Sequence, residues 1–166
     1  SPNDYPSILY NAMIHPITKM HVKGVIWYQG ESNADNMSDA LEYETLFKAM
    51  INDWRKQWNQ PELSFLFVQL ANYMDISNEP THTPWAILRE AQFKTLSLAN
   101  TGMACIIDIG DGKDIHPRNK KDVGYRLSLC ALKTSYNKDI LASGPVFKSL
   151  VKQLDKTYIS FDNCGE

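Results

Sequence analysis

The stretch Val25-Ile26-Trp27-Tyr28-Gln29-Gly30-Glu31-Ser32-Asn33 decides how the rest of the chain is read. Four apolar residues of strand-favouring type run straight into small and polar groups. The run over 22–29 predicts a buried strand, and the groups after it predict a loop at the strand's C-terminal end. In open α/β sheets, that edge is where ligands bind. A second cluster, Asp108-Ile109-Gly110-Asp111-Gly112-Lys113-Asp114-Ile115-His116-Pro117, repeats the arrangement after another apolar run. Polar clusters on two strand ends point to a hydrolase site, and no convincing nucleophile accompanies them.

Upstream, Pro2, Pro6 and Pro16 frame an apolar patch from Ile8 to Ile14, which predicts a helical turn or two between prolines. Downstream, Leu46, Phe47, Met50, Ile51, Trp54 and Trp58 recur at helical spacing. They predict a helix near 39–58, with Asp39 and Glu42 as its capping pair. Ser64 to Leu70 predicts the next strand. Thr83-Pro84 opens another helix as cap and first residue. Leu88, Ala91, Thr95 and Ala99 mark its inner face, and Gly102 is expected to close it. Met103 to Ile109 predicts a third strand. A helix near 119–136 follows, with Val123, Leu127, Cys130, Ala131 and Thr134 facing inward. Strand and helix alternate three times, which implies a parallel sheet covered by helices. Gly144-Pro145 marks a boundary. Val146–Val151 and Thr157–Phe161 then predict a β-hairpin around Gln153-Leu154-Asp155-Lys156. The expected division is 1–144 and 145–166.

A chain of 166 residues with 43% hydrophobic and 22% charged residues has the composition of one globular domain. The formal net charge of -2 gives no electrostatic footprint for nucleic acid. Arg118, Lys120 and Lys121 read as a solvated first helical turn. No apolar run approaches the ~18 residues that would span a membrane. Of three cysteines, Cys105 and Cys130 sit in apolar patterns and are expected to be buried, and Cys164 lies near the end. Their spacing fits neither a disulfide framework nor a zinc site. His15, His21 and His82 have no carboxylate or cysteine partner at metal-ligand spacing.

His116 is the best candidate for a catalytic group. Histidine is the usual base for activating a hydroxyl nucleophile, and it needs a neighbour to fix its tautomer. Asp114 and Asp111 are both near enough in sequence. A loop histidine without a role is the competing reading. Gln29 and Gly30 end a buried strand, where an amide and backbone N–H groups can stabilise an oxyanion. Glu31 is an acid or base there, or a structural carboxylate; a buried carboxylate needs a partner, and Arg89 is the expected one. Gly30-Glu31-Ser32-Asn33-Ala34 is similar to a nucleophile elbow, but Ala34 stands where the elbow needs its second glycine. Ser32 is therefore set aside as a nucleophile.

At the two clusters the sequence resembles a known family. Trp27-Tyr28-Gln29-Gly30-Glu31-Ser32-Asn33 is similar to a signature block of sialate O-acetylesterases and related carbohydrate acetylesterases, within the SGNH (GDSL) hydrolase superfamily. Asp114-Ile115-His116-Pro117, with Lys121, Gly124 and Arg126-Leu127, resembles that family's last block. Leu9 to Pro16 and Leu88-Arg89-Glu90-Ala91-Gln92 resemble further segments, and the likeness covers roughly 7–150. The resemblance implies a flavodoxin-like three-layer α/β/α sandwich. It also implies hydrolysis of acetyl esters on sugars without metal or cofactor. His116 would be the base, oriented by Asp114. Gln29, Gly30 and Glu31 would belong to the oxyanion and substrate-binding loop.

Two departures shape the expectations. The triad aspartate of the superfamily usually stands three residues before the histidine, where this chain has Lys113. The family serine lies in an upstream segment with no counterpart here. The chain is therefore expected to be the C-terminal part of a catalytic domain, sheet strands 3 to 5, plus the first hairpin of a following β domain. Its expected partners are an acetylated sugar and the missing N-terminal half. Sialic acid esters come first as substrates and acetylated xylan next; a silent glycan-binding domain of the same fold is the alternative. Family members often work on glycans outside the cytoplasm, which favours export. In a complete sheet, strand 22–29 would lie inside. Its far edge is expected to be covered by a second copy, by the N-terminal segment, or by the rest of the domain.

Overall fold

A computed structural model describes residues 5–164 of the chain; Pro2 lies outside them. Three short strands form the sheet: β1 (Gly24–Trp27), β2 (Ser64–Val68) and β3 (Thr101–Ala104). They are parallel, in the order β1-β2-β3, with Trp27 beside Phe67 and Val68 beside Ala104. Between them run α1 (Met37–Gln57) and α2 (Pro84–Lys94), and α3 (Lys120–Thr134) follows β3.

Alternation along β2 builds the layers, because successive side chains point to opposite faces. Phe65 and Phe67 pack with Tyr43, Phe47 and Ile51 of α1 and with Leu88 and Ala91 of α2. Val68 points the other way and packs with Ile106 and with Val123 of α3. All five residues of β2 are buried, as a central strand between two helical layers requires. The result is the α/β/α sandwich that the strand-helix alternation predicts.

Several boundaries differ from expectation. The first helix starts at Met37, because extended Asn36 caps it by accepting a hydrogen bond from the Asp39 N–H (3.0 Å). The Asp39–Glu42 pair is not the cap. The second helix passes into a tight turn at Thr95–Ser97 and turns out through Asn100, which holds φ at +55°. Gly102 does not close it. Instead Gly102 lies in β3, where a Cβ would come within 3.1 Å of both Cys130 and Leu66 as α3 packs down. Ala99 is exposed, and Leu98 covers the core in its place. The third strand ends at Ala104, not Ile109. The chain turns there, with the Ile109 N–H donating to Ile106 O (3.0 Å). Cys105 is consequently exposed, while Cys130 is buried.

Before β1, Tyr10–Ile14 forms a π-helical turn and His15–Ile17 a 3₁₀ turn. This helical segment does not pair with β1. The far edge of β1 therefore carries no strand from the described residues, and Ile26, next to Trp27 and so on the opposite face, is 72% exposed. After α3, β4 (Val146–Gln153) and β5 (Lys156–Asp162) form a separate antiparallel hairpin. Leu154 takes a positive φ at its turn. Phe147, Leu150, Ile159 and Phe161 of this hairpin remain exposed.

Candidate active site

Because the sheet is parallel, the loops after β1, β2 and β3 leave from the same edge. The loop after β1 is held rigidly. Gln29 Nε2 donates to Asn33 Oδ1 (2.7 Å). The Tyr43 hydroxyl lies 3.1 Å from both Gln29 O and Gln29 Oε1, and Gln92 Nε2 donates to Gln29 O (3.3 Å). Gly30 is buried with φ at +150°, and a Cβ there would sit 3.0 Å from Leu88 Cδ2. A side chain is excluded both by backbone conformation and by space. Glu31 opens a 3₁₀ turn over Glu31–Ala34 and is half-buried, whereas Ser32 is exposed. Burial raises the Tyr28 and Tyr43 hydroxyl pKa values, and the Glu31 charge adds to both.

The expected pairing of Glu31 with Arg89 does not form. Arg89 Nη2 donates instead to Gln69 Oε1 (3.2 Å), and Gln69 Nε2 donates back to Arg89 O (2.9 Å). The rotation of α2 aims Arg89 at Gln69, just past the end of β2, while Glu31 stands beyond the end of β1. Burial lowers the guanidinium pKa, and among the described residues its Nε finds no hydrogen-bond partner.

The loop after β3 is anchored at its root by Arg126 of α3. That guanidinium grips Asp108 with two hydrogen bonds of 2.6 Å and also donates to Cys105 O (2.7 Å). The bidentate contact holds the Asp108 carboxyl down at about 2. Further along, the loop lies against the loop after β2. A Cβ on Gly110 would come 2.2 Å from Asn72 O, and the Met74 N–H donates to Gly112 O (3.0 Å). Ile115 packs into the core between strands and helices, and Pro117 is buried.

His116 stands between these two anchors with its side chain 86% exposed. Its Nδ1 lies 3.7 Å from Asp114 Oδ1, beyond hydrogen-bond reach. That same oxygen accepts the His116 backbone N–H at 2.9 Å. Asp111 accepts the Lys113 N–H (2.9 Å) and serves the turn, not the imidazole. Among the described residues, no group of three or more His, Cys, Asp or Glu side chains is placed to hold a metal ion. A cavity of about 220 Å³ beside Gln29 is lined by Trp27, Asn33, Tyr43 and Phe47. A larger one, about 470 Å³, lies between β3, α3 and the hairpin and includes neither Gln29 nor His116. The loop geometry, not cavity size, locates the candidate site.

A family model described as carbohydrate esterase, sialic acid-specific acetylesterase matches residues 3–127. The chain belongs to this acetylesterase family. The match takes in both strand-end loops and stops within α3, short of the hairpin. Mouse sialate O-acetylesterase is 38% identical over 87% of the chain, and the human protein 37% over 84%. A carbohydrate acetylesterase from Xanthomonas citri is 48% identical and superposes with a TM-score of 0.89 over 97% of the chain. A protein from Arabidopsis thaliana superposes with a TM-score of 0.54 over 66% of the chain, at 27% identity. The chain spans 29% of the length of the mouse and human proteins and 37% of the Xanthomonas chain.

Within this acetylesterase frame, the sequence pattern points to Gln29, Gly30, Glu31, Asp114 and His116 and gives no role to Tyr43, Gln92, Asp108 or Arg126. Gln92 left a signal: it is a polar residue in the buried stripe of α2, four positions after Leu88 and three before Thr95. Asp108 and Arg126 each stand in a segment already quoted, but their pairing left no signal, because eighteen positions separate them.

Proposed function

We propose that this chain is the part of a carbohydrate O-acetylesterase that carries the catalytic base and the oxyanion-side loop. Acetyl esters of sialic acids are its first substrates. The observation that carries this reading is that two loops bearing the candidate groups leave the same edge of the parallel sheet. One is the fixed Gln29–Gly30 loop, and the other presents an exposed His116 beside Asp114.

In this mechanism a serine hydroxyl attacks the acetyl carbonyl while His116 takes its proton. Amide groups of the Gln29–Gly30 loop hold the oxyanion that forms. His116 then returns the proton to the departing sugar oxygen, and water activated by the same imidazole releases acetate. Rotation of the imidazole towards Asp114 Oδ1 fixes its tautomer, in a contact that tightens once substrate is bound. The Gln29 carboxamide already serves Asn33 and Tyr43, so it acts by shaping the loop. Glu31 lies at the rim, where a carboxylate recognises sugar hydroxyls.

The serine comes from polypeptide outside these 166 residues, seated along the open edge of β1. Two observations support that seat: the unpaired far side of Gly24–Trp27 among the described residues, and the small fraction of each relative that the chain spans. The test compares the isolated chain with the complete gene product, by acetate release from O-acetylated sialic acid, with acetylated xylan alongside. Only the complete product is expected to hydrolyse the sialic acid ester. Hydrolysis by the isolated chain that Ser32→Ala abolishes would make Ser32 the nucleophile and overturn the reading.

A further inference from the structure

We propose that Gln92 is the positioning residue of the Gln29–Gly30 loop, its single buried carboxamide tying the ends of β1 and β2 together; the idea rests on the esterase reading above. Gln92 is 1% exposed. Its Oε1 accepts the Leu70 N–H (2.9 Å), and its Nε2 donates to Gln29 O and Val68 O, both at 3.3 Å. All three partners are backbone groups at or just beyond strand ends. An amide is one of the few heads that both donates and accepts, so a hydrocarbon here would take the side-chain partner from Val68 O and the Leu70 N–H and leave Gln29 O to the Tyr43 hydroxyl.

The fit is mutual. A Cβ on Gly30 would come 3.3 Å from Gln92 Nε2, so the loop approaches the carboxamide as closely as it does only through glycine. Leu88, one turn before Gln92 on α2, is buried on the same side of the helix. From α1, the Tyr43 hydroxyl reaches the same Gln29 carbonyl. Two helices therefore fix one peptide, the one joining Gln29 to Gly30. Its orientation sets where the following amides point. A misplacement of ~1 Å at such a site costs about 10²-fold in rate.

Gln92→Glu keeps the shape and makes the test specific. Ionised, the carboxylate has no donor and faces two carbonyl oxygens. Protonated, it donates to one of them and still accepts the Leu70 N–H. Burial favours the protonated form, so its pKa shifts upward. In the complete gene product, kcat for acetyl-ester hydrolysis relative to the unsubstituted protein should fall about 10²-fold at pH 8. The ratio should recover about tenfold as the pH falls towards 6, while KM changes less than about threefold. Tyr43→Phe, a milder variant, should lower kcat with no such recovery. A flat ratio near one for Gln92→Glu would overturn the proposal, as would an unaffected Tyr43→Phe if Gln92→Glu fails to fold. Hydrogen exchange separates the clamp from the chemistry. The Leu70 amide should be protected in the unsubstituted protein as strongly as the interior of β2, whether or not any acetyl ester is hydrolysed. A fast-exchanging Leu70 would refute the clamp alone, and absent hydrolysis with a protected Leu70 would refute the esterase reading alone.

Discussion

Replacing Gly110 by alanine sets a methyl group 2.2 Å from Asn72 O, 2.3 Å from Asn72 Oδ1 and 2.9 Å from Ala71 Cβ. The nearest atom is backbone, so a rotamer change cannot relieve the clash. One of the two loops must withdraw by about 1 Å, a forced separation of the kind that costs about 1–3 kcal/mol in packed protein. Either way the packing that seats the loop of His116, six residues on, is lost. Gly110→Ala should therefore lower stability by that amount and, in the complete gene product, lower kcat by about 10²-fold. Gly124→Ala is the control. It lies within α3, and a Cβ there meets nothing within 4 Å. Removing a mid-helix glycine should raise stability by about 0.5–1 kcal/mol. Urea denaturation followed by tryptophan fluorescence measures both, and acetate release measures turnover. A Gly110→Ala protein as stable and as active as the parent would refute the loop packing described here.

Three further outcomes are expected. Asp108, with its carboxyl held down at about 2 by Arg126, contributes stability that is present above the ordinary value of 3.8 and lost as pH falls through 2. Asp108→Asn should flatten the stability–pH curve in that window, and the effect should weaken with salt because the pair is exposed, as acid titrations at two ionic strengths would show. A native-state alkylating reagent at pH 8 should label Cys105 and Cys164 but not Cys130, whose thiol burial pushes up to about 11; mass spectrometry counts the adducts before and after denaturation. Asn36→Ala should cost about 1 kcal/mol by uncapping α1, while Glu42→Ala should cost little, in the same urea assay.

The order β1, α1, β2, α2, β3, α3 was legible because the helices print an apolar period and the strands stand out as short apolar runs, β2 being buried on both faces. Thr83-Pro84 marked its helix start for the same local reason: a side-chain acceptor for the Ala86 N–H and a ring pre-set for helix. What was not legible depends on contacts distant in sequence. Ile106 to Ile109 has the composition of a strand, yet Arg126 draws Cys105 O and Asp108 towards α3 and bends the run into a turn. Cys105 is exposed by that bend. Pairing Glu31 with Arg89 required the rotation of α2, which periodicity gives only to within a face. Gly102 looked like a helix stop, but the close approach of Cys130 and Leu66 explains it as a strand residue. The candidate site was legible as two clusters on strand ends. The clamp beneath one of them was not, because a lone glutamine in an apolar stripe does not announce which backbone groups it will bind.

We propose His116 as the base of an acetyl-ester hydrolase, and removing its imidazole is the decisive experiment. The complete gene product and its His116→Ala variant are compared for acetate release from O-acetylated sialic acid, with circular dichroism confirming that both are folded. The exposure of the imidazole means its removal leaves the core intact, so the fold should be unchanged. Turnover should fall by several orders of magnitude, as the loss of a triad base does. Asp114→Asn should cost less, because an asparagine oxygen still accepts the His116 N–H that Asp114 Oδ1 accepts now. A folded His116→Ala protein that releases acetate at a near-parental rate would contradict the account.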